Sequence, residues 1–231
     1  MKLVGFGCSF TYGSELIDPA LEGVYHSNTE SYTWDQHHVN TRYRESSVWL
    51  GQLAKSLDAT WDNRAEPANS NFAIAQQVAD YFIKIRNPNE KIVVCVAWTE
   101  RTRMSWYGIE DKWTHNGFAG DKHGWPRSAR EWVMNSSSNS HDMFTCNAKL
   151  LVNSICKAHE VPILQFNALG AHQTTQYPNY FIDGASMGSI LKRAAQDDSR
   201  LDLFASGGHP NEAGHEYFTI RLHDFAKEHI M

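Results

Sequence analysis

The chain has 231 residues, enough to bury a sizeable core. Hydrophobic residues make up 42% and charged residues 20%, the balance of an ordinary globular protein. The formal charge is −5 with no basic block, which argues against non-specific nucleic-acid binding, since that needs a positive face.

No apolar stretch has the length of a membrane span, so no membrane partner is expected. The first apolar run is too short for a signal peptide and lacks a small-residue cleavage site. Met1 therefore reads as the start, and the cytoplasm as the compartment. Cys8, Cys95, Cys146 and Cys156 are widely spaced with no CxxC pair, which suggests neither a zinc site nor a disulfide framework.

In chain order, Lys2 to Cys8 reads as a first strand running into a glycine-framed turn, Gly7-Cys8-Ser9-Phe10-Thr11-Tyr12-Gly13. Ser14 to Ser47 is polar and without period, and reads as a long loop. Val48, Leu50, Leu53, Ala54 and Leu57 recur at helical spacing, which predicts a helix over 47–57. A short strand near 59–63 follows. Asn69 or Ser70 then caps a helix predicted over 71–85. Lys91 to Trp98 is apolar throughout, as a central parallel strand covered on both faces should be.

Residues 100–135 hold Trp106, Trp113, Trp125 and Trp132 among several glycines. They read as an irregular aromatic insertion, either filling an extra lobe or forming a stacking wall or acyl pocket. Helix 142–160, strand 161–166, a short helix near 187–196 and a final helix to about 228 complete the chain, with Pro210 in the first turn of the last. Strands alternate with helices and no linker or repeat stands out. The expected architecture is one α/β domain over 1–231, a mainly parallel sheet between helix layers, with loop insertions near 14–47 and 100–140. Ligands of such sheets sit beyond the carboxyl ends of the strands, where Ser9, Ala68, Thr99 and Asn167 would cluster.

A serine needs a base to become nucleophilic. Of the twelve histidines, His209 stands apart, set between Gly207-Gly208 and Pro210 at the entry to the last helix. Cys8 is a rival nucleophile beside Ser9. His37, His38, His115, His123 and His141 lack the spacing of metal ligands, and no metal or other cofactor is expected.

The segment 7–13 resembles the first block of the SGNH (GDSL-type) hydrolases, and His209-Pro210-Asn211-Glu212-Ala213-Gly214-His215 resembles their fifth. The two lie at opposite chain ends in that family's order. The resemblance implies a three-layer, flavodoxin-like α/β/α fold and a serine esterase or deacylase. Ser9 then matches the nucleophile and His209 the base. Ala68 falls where the family has an oxyanion-hole glycine, and Thr99 where it has an asparagine, with Asn69 and Asn71 nearby as substitutes. The Ser9 N–H would complete the hole.

The family's aspartate three residues before the histidine is Ser206 here. A backbone carbonyl, Asp202 or Asp183 could orient the imidazole instead. Glu100 and Arg101 read as a strand-end pair, with Arg101 also a candidate substrate contact. The expected substrate is a small acyl ester of a carbohydrate or another polar carrier. The alternatives are a catalytically silent binding module, which the substitutions at Ala68, Thr99 and Ser206 motivate, and an acyltransferase.

Overall fold

The computed structural model describes residues 1–21, 38–107, 113–116, 138–170, 180–181 and 185–230. Its elements are β1 (Lys2–Phe6), α1 (Ser9–Tyr12), α2 (His38–Ser47), α3 (Trp49–Ser56), β2 (Thr60–Asn63), α4 (Asn71–Asp80), β3 (Ile92–Trp98), β4 (Met104–Tyr107), β5 (Trp113–Asn116), α5 (Ser138–Ala158), β6 (Ile163–Asn167), α6 (Met187–Asp197) and α7 (Glu212–Ile230). The main sheet has four strands in the order β2-β1-β3-β6, and every pairing is parallel. This is the parallel sheet between helix layers that the alternation of strands and helices implies.

The continuous apolar run of β3 is explained by the two cores it serves. Val93, Cys95 and Ala97 face one cluster, where they meet Trp49, Leu50 and Leu53 of α3 and Phe218, Leu222 and Ala226 of α7. Val94, Val96 and Trp98 face the other, against Ile74, Ala75 and Val78 of α4 and Ala148, Val152 and Cys156 of α5. Alternate residues of a strand point to opposite faces, so a strand covered on both sides must be apolar at each position.

Two predicted loops contain regular structure. The tail of the polar stretch 14–47 is the helix α2, and the aromatic insertion contains an antiparallel pair, β4 with β5, in the register Met104↔Asn116 to Tyr107↔Trp113. The predicted helix over 71–85 is α-helical to Asp80 and continues as a wider π turn over Tyr81–Ile85. Ser70 is its cap, accepting from the Ala73 N–H at 3.2 Å. Pro210 lies before the last helix rather than inside it, paired in a β-bridge with Phe204. The helix is instead capped by Asn211, whose Oδ1 accepts from the Gly214 N–H at 2.9 Å.

Candidate active site

Ser9 opens α1 immediately after β1, beyond the carboxyl end of a central strand. The turn is tightly determined. Cys8 caps α1 and accepts from the N–H groups of Thr11 and Tyr12, both at 2.9 Å. Thr11 is fully buried, with its Oγ1 accepting from Trp49 Nε1 at 3.3 Å and its carbonyl from Asn63 Nδ2 at 2.8 Å. A Cβ at Gly7 would overlap the Thr11 side chain, which explains the glycine there. Cys8 belongs to the core under α3 and α7 and is wholly buried. Cys8, the rival nucleophile, lies like Ser9 beyond β1, which ends at Phe6.

At the other end of the chain, residues 204–210 fold into a tight turn. Gly208 N–H donates to Ala205 O at 2.9 Å, and Ala205 N–H donates to His209 O at 2.8 Å. Gly208 has φ +88°, a left-handed conformation that favours glycine. This turn docks on the N-terminal segment. The His209 ring meets Phe10, the neighbour of Ser9, edge-on with centroids 5.7 Å apart. His209 Nδ1 lies 2.7 Å from Glu15 Oε2. The same carboxylate accepts from the Gly207 N–H at 2.8 Å and the His209 N–H at 3.1 Å.

Glu15 was not among the residues the sequence put forward for orienting His209. Of those, Asp202 is exposed and holds Asn211 through its backbone carbonyl, at 3.0 Å. Ser206 is exposed on the turn, and Asp183 lies outside the described residues. Glu15 sits 194 positions from His209, in a stretch with no periodic pattern, so no local signal links the two. Among the described residues, the Ser9 hydroxyl and His209 Nε2 form no hydrogen bond, either with each other or elsewhere.

Ala68 lies in a turn fixed to the loop that carries Ser9: the Gly7 carbonyl accepts from Glu66 N–H at 3.3 Å and from Asn69 Nδ2 at 3.2 Å. Ala68 has φ +60°, the left-handed conformation that a glycine adopts most readily. Neither its N–H nor that of Ser9 carries a hydrogen bond among the described residues.

Thr99 follows β3 and is fully buried. Its N–H donates to Asn71 Oδ1 at 2.8 Å, and its carbonyl accepts from Asn71 Nδ2 at 3.1 Å. Asn71 Nδ2 also donates to Thr145 Oγ1 at 3.2 Å, so this amide fixes the strand end to α4 and α5. Asn69 is likewise engaged, with Nδ2 donating to Gln77 Oε1 at 2.8 Å as well as to Gly7. Arg101 pairs with Asp142, its Nη1 2.7 and 2.8 Å from the two carboxylate oxygens, while Glu100 Oε1 accepts from the Arg101 backbone N–H at 2.9 Å.

His215, in the first turns of α7, is wholly buried, and its Nδ1 accepts from the Trp49 N–H at 3.3 Å. Burial, with the nearby His209 adding to it, pushes its pKa down to about 3, so it stays neutral. Among the described residues, no three His, Cys, Asp or Glu side chains gather as a metal-ligand set would. No described helix is long and apolar enough to cross a membrane. The Trp125 and Trp132 side chains proposed for substrate stacking lie outside the described residues, as do those of Trp106 and Trp113.

No family model and no curated protein matches the sequence. Solved structures do match the fold. A carbohydrate esterase, whose active site displays divergent catalytic and non-catalytic binding functions, superposes with a TM-score of 0.53 at 12% identity, over 98% of this chain and 64% of that one. An acetyl xylan esterase from the rumen bacterium Butyrivibrio proteoclasticus gives 0.49 at 10% identity, covering 98% and 63%. A member of the lipolytic G-D-S-L family from Veillonella parvula gives 0.41 at 13% identity, covering 100% and 98%. The chain thus spans a little under two thirds of the carbohydrate esterase it superposes on. The architecture shared with that carbohydrate esterase is a parallel sheet flanked by helices.

Proposed function

We propose that the protein is a serine esterase in which Ser9 is the nucleophile and His209 its general base. One observation carries this reading. The turn bearing His209 is docked on the segment bearing Ser9, with the imidazole ring against Phe10 and its Nδ1 occupied by a carboxylate. An imidazole held through Nδ1 offers Nε2 to a hydroxyl proton.

In the proposed reaction, His209 Nε2 takes the Ser9 proton as Oγ attacks the ester carbonyl. The developing oxyanion is held by the uncommitted N–H groups of Ser9 and Ala68. The imidazolium returns the proton to the leaving alcohol, and water, activated by the same histidine, releases the acid from the acyl-enzyme. We assign Thr99, which follows β3 beside β1 in the sheet, a supporting place in this hole. The likeness to a carbohydrate esterase supports a small acyl group on a carbohydrate as the substrate class.

A second reading keeps the fold but not the chemistry. It is favoured by the family's oxyanion-hole asparagine being a fully buried threonine here. Turnover of p-nitrophenyl acetate separates the two. The esterase reading predicts hydrolysis that falls at least about 10³-fold in both Ser9→Ala and His209→Ala. Equal rates in wild type and both variants would sink it and leave the binding module.

A further inference from the structure

We infer that Glu15 is the residue that positions His209 for catalysis, an acid supplied by the nucleophile's own segment rather than by the histidine's. The inference rests on the reading of Ser9 and His209 as nucleophile and base. Three bonds converge on the Glu15 carboxylate: Gly207 N–H on Oε1 at 2.8 Å, and His209 N–H and Nδ1 on Oε2 at 3.1 and 2.7 Å. The first two fix the turn, and the third fixes the ring. A carboxylate at Nδ1 keeps the proton on that nitrogen and stabilises the imidazolium when it forms.

The surroundings are shaped around this contact. Glu15 has φ +68°, a backbone conformation that costs an ordinary side chain energy and persists only where neighbours enforce it. The enforcement is visible. Gly13 and Ser14 N–H both donate to the Ser9 carbonyl at 3.0 Å, and Leu16 N–H donates to Gly13 O at 3.1 Å while its side chain is buried. Ser9 and Glu15 therefore belong to one hydrogen-bonded unit. On the facing turn, a Cβ at Gly207 would overlap the carboxylate, so the glycine keeps that space open. The Glu15 side chain is 18% exposed, sheltered enough for its charge to act on the ring.

The test compares wild type with Glu15→Gln, Glu15→Asp and Ser9→Ala. Glu15→Gln keeps the size and one acceptor oxygen but removes the charge. The expected result is a kcat for p-nitrophenyl acetate about 10³-fold lower with KM within a few-fold, partial recovery in Glu15→Asp, and an unchanged circular dichroism spectrum. Proton NMR supplies a readout independent of turnover. The low-field His209 Nδ1–H signal should be present in wild type and in Ser9→Ala, and lost in Glu15→Gln. A kcat within about threefold of wild type in folded Glu15→Gln, or an unaltered Nδ1–H signal, would overturn the role of Glu15. Wild-type turnover no greater than that of Ser9→Ala would instead count against the esterase reading, and the NMR comparison would still decide whether Glu15 holds the ring.

Discussion

At the scale of single residues, the site depends on a few atoms that other atoms leave room for. Gly207 is one such place, because its missing Cβ is where the Glu15 carboxylate sits. Gly207→Ala should displace that carboxylate from two backbone bonds and from the imidazole together. Since a shift of about 1 Å in a catalytic group can cost 10²-fold, esterase turnover should fall by about that factor while the protein still folds. Steady-state kinetics beside a thermal melt would check this, and unchanged turnover would mean that the contact is not needed. Ala68 is a second such place. Its left-handed backbone suits glycine, and Ala68→Gly should raise stability or leave it unchanged, by at most about 1 kcal/mol, because relief of strain and gain of unfolded-chain entropy oppose each other. Residues of this kind were unevenly legible. Ser9 and His209 announce themselves by the glycines around them. Glu15 is an ordinary acid in a polar stretch, and only the closed fold brings it to position 209.

At the scale of elements, what the sequence revealed depended on what holds each element in place. β3 and α3 are fixed by burial, so their apolar patterns predict them. α2 is different. Its sequence, HVNTRYRESS, has no apolar stripe, and polar tertiary bonds secure it. Asn40 bridges Leu16 O and Asp18 N–H, the Arg44 guanidinium stacks 3.7 Å from the Tyr12 ring centroid, and Tyr43 and Ser47 both donate to Glu212. No periodicity could report such partners. On α5, Lys149 is almost wholly buried, donating to Tyr180 Oη at 2.9 Å, and burial lowers its pKa from 10.5 to about 7. The unfolded chain therefore holds one more proton than the folded chain between those two values. Stability should rise as pH climbs from about 7 towards 10.5, by up to about 1.4 kcal/mol per unit. Lys149→Met should remove that increment from the slope, as urea unfolding at several pH values would show. A slope equal to wild type would contradict it.

At the scale of the whole molecule, the parallel sheet brings the two ends of the chain to one rim. β1 lies centrally between β2 and β3, so the turn after it is flanked by the turns that carry Ala68 and Thr99. The last helix returns across the face covered by α3, where Trp49 meets His215 and Thr219, and this return carries the 204–210 turn to Phe10 and Glu15. That convergence was legible in outline, because strand order and the positions of two short motifs suffice to imply it. In the proposed function, this convergence makes Ser9 a nucleophile. Fluorophosphonate labelling followed by peptide mass spectrometry tests it most directly. The expected result is a single phosphonyl adduct on Ser9, absent in Ser9→Ala and strongly slowed in His209→Ala. An adduct on another residue, or no adduct on folded wild-type protein, would contradict it.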